Sequence, residues 1–412
     1  VSKKNNVVVI TGASSGVGRA TALRFARAGA CLVLAARREA ALHDVVVECE
    51  RLGASAVAVV TDVTNPDAVD ALAAAAVENF GAVDVWVNCA AVAVYADFTT
   101  VPLHDFRRVM DVNVMGYVHG ARSALEVMEE QGHGIIVNVA SIVGEVPQPY
   151  ASSYGMSKAA VRALGASLRQ ELGLRGKKHI HVVTVLPPTL DTPFFGHAAN
   201  YTGRALRAMP PVYSPDEVAR QIVKSTRRPR PEIITGGAGK ALVRQHRTHP
   251  VSAEGQMAVL VENGQFRRRE SAGATAGNLY SPSPDSDAAV TGGWHGKTRS
   301  GARSLLLWTL LLAAGGVVAL YLIGGDESSR RPRAKKTHAK RKRAGGGSRP
   351  VDATKAAAMF AALKRAEAEK AEKAAKAAKR HGPENAATVL KKTQRNLYTI
   401  NRGLRKQAAA NR

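Results

Sequence analysis

Cysteine is scarce, with three residues in a chain of 412. That excludes a disulfide framework and fits a reducing compartment. Cys89 stands in register with no His or second Cys, and no metal site is expected. No internal repeat of 20–50 residues is present, which excludes solenoids and propellers. Nothing resembling a signal peptide precedes the first apolar run at Val7. Acidic residues are also few: 33 Asp and Glu stand against 58 Lys and Arg, a formal net charge of +25. Such an excess raises nucleic acid or an anionic membrane as partners. A hydrophobic content of 45% excludes a wholly disordered chain, and the length suggests two or three units.

The charge is unevenly placed. Residues 1–200 carry 17 basic and 18 acidic side chains, a net of −1. Residues 201–325 carry +8 and residues 326–412 carry +18. Organisation changes at similar points. From Val7 to about Thr235, apolar runs alternate with helix-period segments, the pattern of βαβ units. This predicts an α/β fold with a Rossmann-type, doubly wound parallel sheet over 1–240. Residues 241–303, rich in Gly, Ser, Arg and Pro, read as a linker with one short helix. Residues 304–325 hold no charge, and 326–412 form a basic, Ala/Lys-rich tail.

Residues 7–10 read as a buried strand running straight into Thr11-Gly12-Ala13-Ser14-Ser15-Gly16-Val17-Gly18, after which a helix-period stretch begins. Glycines there let the backbone turn sharply, and the new helix N-terminus offers free N–H groups to a pyrophosphate. A plain strand–helix turn would look similar in isolation. The second strand ends at Ala36-Arg37-Arg38. A carboxylate at that point would accept from the 2′-hydroxyl of NAD. None is present, and two guanidiniums suit a 2′-phosphate, which favours NADP(H) over NAD(H). The alternative is that Arg38 only opens a solvated helix with Glu39. Strands over 56–60 and 83–87 lead to Asp62-Val63 and to Asn88-Cys89-Ala90-Ala91, at carboxyl ends where open sheets bind ligands. Cys89 reads as a small packing residue.

A strand over 135–139 delivers Ser141, and a helix over 151–174 would put Tyr154 and Lys158 on one face, one turn apart. A phenol is a poor base at neutral pH, and a nearby ammonium favours the phenolate. Ser141 would hold a carbonyl oxygen beside it. Together with Thr11–Gly18, Asn88–Ala91 and Asn113 in Asn113-Val114-Met115-Gly116, these residues resemble the short-chain dehydrogenase/reductase family. The resemblance covers residues 1 to about 240. It implies hydride transfer between a nicotinamide and a carbonyl or alcohol carbon, with Asn113, Ser141, Tyr154 and Lys158 as the catalytic set. Asn113 would position a water linking Lys158 to solvent. It further implies dinucleotide contacts at Gly12, Ser14, Ser15, Gly16, Val17, Gly18, Arg37, Arg38, Asp62, Val63, Asn88 and Ala90. Tyr154, Lys158, Pro187, Leu190 and Thr192 complete that set. A homo-oligomer through the catalytic domain and a substrate lid over 190–213 are implied as well. Two departures touch cofactor geometry: the family's Asn-Asn-Ala-Gly is Asn-Cys-Ala-Ala here, and its Pro-Gly is Pro187-Pro188.

Residues 304–323 are twenty uncharged residues, enough as a helix to span a bilayer core of ~30 Å. Trp308 and Tyr321 lie towards its two ends, as at membrane interfaces. A single transmembrane or monotopic helix is therefore expected. Positive-inside logic puts the tail in the cytoplasm, yet the reductase is also expected to face the cytoplasm, so the tail's side stays open. A helix over about 352–381 ends at Gly382-Pro383. Anionic lipid is the favoured tail partner. Nucleic acid is less favoured because no folded nucleic-acid motif accompanies the charge. The leading expectation is a membrane-anchored NADP(H)-dependent oxidoreductase acting on a lipophilic substrate. The rival is an NADP(H)-sensing binding protein tethered through its tail.

Overall fold

The structure is a computed structural model of the whole chain, and residues 6–282 and 288–294 are described. The expected membrane segment, the basic tail and the helix over 352–381 lie outside the described residues. Among the described residues, no helix is long and apolar enough to cross a membrane.

The strands are β1 (Val7–Thr11), β2 (Cys31–Ala36), β3 (Ser55–Val60), β4 (Val85–Asn88), β5 (Val94–Tyr95), β6 (Gly134–Val139), β7 (Ile180–Leu186), β8 (Ala199–Asn200), β9 (Arg204–Leu206), β10 (Glu232–Ile234) and β11 (Phe266–Ser271). Seven of them form one sheet in the order β10-β7-β6-β4-β1-β2-β3, every pairing parallel. The reason is visible in β1, whose five residues are all buried. Val7 and Val9 point into one core while Val8 and Ile10 point into the other, so a continuous apolar run covers both faces.

Helices α1 (Gly16–Ala26), α2 (Glu39–Arg51), α3 (Pro66–Phe80), α4 (Leu103–Met110), α5 (Gly116–Gln131) and α6 (Ser152–Leu174) supply the layers, with α7 (Phe194–His197) and α8 (Pro215–Arg227) following. Their ends obey local chemistry. Asn65 caps α3 by accepting the N–H groups of Asp67 and Ala68, with Pro66 in the first turn and Gly81 left-handed at the far end. Chain order reverses between β1 and β4, which opens a crevice at the carboxyl ends of these strands.

The linker expected over 241–303 is corrected over its described part. Helices α9 (Gly237–Thr248) and α10 (Pro250–Gly264) and strand β11 are packed structure. Leu242, Val243, Met257, Val261 and Phe266 join Ile142, Val146, Val161 and Leu186 in a third core. The helical signal was present as Ala253, Met257 and Val261, spaced by four residues behind Pro250. Flanking Gly, Ser and Arg concealed it, because composition averages over a face that is half solvent.

Candidate active site

The glycine-rich turn is dictated by crowding. Gly12 has φ +66°, and a Cβ there would lie 2.8 Å from the backbone of Ala90. A side chain on Gly18 would strike the Gly12 carbonyl, so α1 can start this close to β1 only without one. One cleft begins at Arg37 and Arg38 and passes Gly12, Ser14, Ser15, Gly16, Val17, Asp62, Val63 and Ala90. It continues to Ser141, Tyr154, Lys158, Pro187, Leu190 and Thr192. An elongated, glycine-floored cleft with guanidiniums at one end and a phenol at the other fits a nicotinamide dinucleotide.

Three residues expected at the site do not line this cleft. Gly18 sits behind the turn. Asn88 is buried, its amide donating to Asn138 at 3.0 Å and its oxygen accepting from the Trp86 indole at 2.8 Å. It ties β4 to β6 instead of facing a ligand. Asn113 is wholly buried in a π-helical turn, Asp111–Met115. Its side chain accepts from Val92 N–H, donates to Val92 C=O, and donates to Ser157 at 3.0 Å. The amide is therefore spent on scaffold, clamping the loop after β4 to α6.

Ser141 caps the turn Ile142–Gly144, accepting from Val143 N–H at 3.2 Å. Burial pushes the Tyr154 phenol up to about 12, and the hydrogen bond from Ser141 recovers only part of the shift. Burial also drives the Lys158 ammonium down, to about 8. The expected depression of Tyr154 by Lys158 is corrected: desolvation is the largest cause and raises the phenol, and Lys158 Nζ stands 5.7 Å from the Tyr154 ring centroid. Tyr154 is thus a protonated donor near neutral pH. Burial pushes the Cys89 thiol up to about 12, as suits a packing residue.

At the other end, Arg37 donates to the carbonyls of Asn278 (2.6 Å), Leu279 (3.3 Å) and Tyr280 (3.0 Å). Burial raises the Asp62 carboxyl, but hydrogen bonds from Thr64 and Arg108 outweigh it and hold the group below its ordinary value. A segment distant in sequence therefore reaches the cleft. Leu279 is fully buried, the Ala289 carbonyl accepts from Gly16 N–H at 3.1 Å, and Asp191 accepts the N–H groups of Gly292 and Trp294. Nothing in the local sequence signals these contacts, since each spans more than a hundred residues (Arg37 to Asn278 spans 241).

Beyond Tyr154 the wall is mostly apolar: Tyr95, Phe194, Phe195, Met209 and Met257, with Gln148 and Gln265 as polar points. Phe194 packs on Tyr154 with ring centroids 5.4 Å apart, and Phe195 packs edge-on to both Phe194 and Trp294. The 190–213 stretch supplies α7, β8 and β9, with β9 pairing to β11. His197 lines the same wall.

A family model described as short chain dehydrogenase matches residues 6–201. The uncharacterized oxidoreductase YxnA of Bacillus subtilis is 32% identical over 281 residues, 67% of this chain and 78% of that one. The 3beta-hydroxysteroid dehydrogenase 1 of Eggerthella lenta is 34% identical over 223 residues, 52% of this chain and 84% of that one. Among solved structures, a short chain dehydrogenase/reductase from Burkholderia phymatum in complex with NAD matches with TM-score 0.56 and 32% identity, over 60% of this chain and 95% of that one. With the parallel sheet and the cleft at its switch point, these similarities show that the chain belongs to the short-chain dehydrogenase/reductase family and is an oxidoreductase of that type.

Proposed function

We propose that this oxidoreductase is an NADP(H)-dependent carbonyl reductase or alcohol dehydrogenase acting on a lipophilic substrate. The observation that carries the substrate class is the mostly apolar lining beyond Tyr154, where the half-buried Phe194 and Phe195 present their rings to the cleft. A small polar substrate would leave that surface unfilled, whereas burying apolar area there stabilises by about 25 cal/mol per Å². Similarity to a 3beta-hydroxysteroid dehydrogenase points the same way. Preference for NADP(H) rests on Arg37 and Arg38 and on the lack of a carboxylate after β2. For Arg37 to serve a 2′-phosphate, it must release carbonyls among 278–280. Membrane attachment rests on residues 304–323 and the basic run beyond them, whereas the cytoplasm-facing catalytic domain rests on its use of cytosolic NADPH.

The bound dinucleotide supplies the hydride. The chain's own groups do the rest. Tyr154, protonated at neutral pH, gives its proton to the oxygen of the carbonyl being reduced, and Ser141 hydrogen-bonds that oxygen. Lys158 offers an ammonium to the ribose hydroxyls next to Tyr154. The aromatic wall excludes water from the reacting carbon. Acid–base assistance of this kind is worth ~10²–10⁴ in rate.

NADPH consumption across ketones, acyl thioesters and sterols tests the substrate class, and turnover confined to small polar carbonyls overturns it. Tyr154→Phe is expected to abolish turnover while NADPH still binds, checked by fluorescence titration. Retained turnover removes Tyr154 from its role.

A further inference from the structure

Lys158 is 1% exposed, and among the described residues no carboxylate pairs with it. An ammonium without a counter-ion in the interior is held only if its protons find oxygen and its charge finds polarisable neighbours. Two oxygens do this. Lys158 Nζ donates to the Val139 carbonyl at 2.9 Å and to the Tyr117 hydroxyl at 3.2 Å. It also lies 4.9 Å from the Tyr117 ring centroid and 5.7 Å from that of Tyr154, within cation–π range of both. The titratable groups around it are thus Tyr117 on α5, Tyr154 on α6 and Cys89 after β4.

We propose that the Tyr117 hydroxyl is a positioning group for Lys158, holding the ammonium against the end of β6 so that its remaining proton faces the dinucleotide cleft. Three features make the hydroxyl suited to this. Its own proton is committed to the Val139 carbonyl at 2.9 Å, which turns its lone pairs towards Nζ. The side chain is 1% exposed and packed in the third core with Ile142 and Val161, so the ring has nowhere to swing. And Tyr117 is the second residue after the π-helical turn, whose extra residue rotates the start of α5 by ~100° relative to a continuous helix. Val139 closes the triangle, and it lies two residues before Ser141. One hydroxyl therefore locks the lysine to the strand that delivers the serine.

The inference rests on Lys158 serving the cofactor as proposed above, and the experiment separates the two. Tyr117→Phe keeps the ring, its packing and its cation–π contact, and removes one acceptor. In the full chain, the pH dependence of NADPH-linked reduction and the titration of the Lys158 ε-carbon, by NMR with labelled lysine, are measured for wild type and variant. Losing an acceptor for a buried cation destabilises the ammonium. Its titration and the alkaline limb of kcat/KM are both expected to move down by about one pH unit, with several-fold weaker NADPH binding. An unmoved lysine titration overturns the proposal even if kcat falls, because a merely structural role would not shift it. In the wild-type chain the Lys158 ammonium protons are expected to show cross-peaks to the Tyr117 ring, and their absence overturns it without any variant. Tyr154→Phe run in parallel isolates the catalytic reading: if it turns over, that reading fails, whatever Tyr117 does.

Discussion

Tyr154 and Lys158 share a helix face one turn apart, and burial acts on them in opposite directions. Taking both from water favours the neutral phenol and the neutral amine, so Tyr154 rises to about 12 and Lys158 falls to about 8. The signs have a functional consequence. Tyr154 stays protonated through the physiological range and suits reduction. The ammonium is present below about pH 8 and lost above it. Reductive kcat/KM is therefore expected to be flat to about pH 8 and to fall beyond, and a profile flat to pH 10 removes the lysine charge from the reaction. At this scale the pair was legible, because a helix makes i and i+4 neighbours by geometry alone. Tyr117 was not legible, since its hydroxyl meets Lys158 across 41 residues and only packing brings them together. Arg37 shows the converse. Its place at the end of β2 was readable, but its partners at 278–280 were not.

Among the elements, those before Thr235 were read well because strands buried on both faces are continuous apolar runs. The stretch holding α9 and α10 reads in sequence as a linker with one short helix, although Ala253, Met257 and Val261 form the buried stripe of α10. That stripe bears on function: Met257 is fully buried in the third core and also lines the substrate side of the cleft. Met257→Ala is expected to cost about 2–5 kcal/mol of stability in denaturant unfolding. It should also raise KM for an apolar substrate more than it changes NADPH binding. An unchanged unfolding midpoint would mean that α10 is not part of the folded core. The salt bridges among these elements carry less weight. Arg24 pairs with Asp216 across α1 and α8 at 2.5 Å, but with the Asp side chain half exposed it contributes ~1 kcal/mol or less.

For the molecule as a whole, charge and chemistry lie in different parts of the chain. The first 200 residues carry a net of −1 and supply most of the cleft, while 326–412 carry +18. If the basic run serves a membrane surface, the full chain should co-sediment with vesicles containing phosphatidylserine. Replacing Lys and Arg within 330–343 by Gln should weaken that association, most visibly at low salt, and leave NADPH-linked turnover in solution unchanged. Association indifferent to both salt and these substitutions overturns an electrostatic role for the tail.

The sequence by itself determined what is local or periodic. The parallel sheet follows from apolar runs, the dinucleotide turn from glycines that no other residue can replace, and the Tyr154–Lys158 face from helical repeat. Tertiary structure alone decided which polar groups are free to act. It spent Asn88 and Asn113 on scaffold, tied Arg37 to carbonyls at 278–280, and set Tyr117 against the lysine. Those outcomes depend on hydrogen bonds between segments far apart in the chain, where a buried donor takes whichever acceptor the packing presents. No pattern along the sequence records that choice.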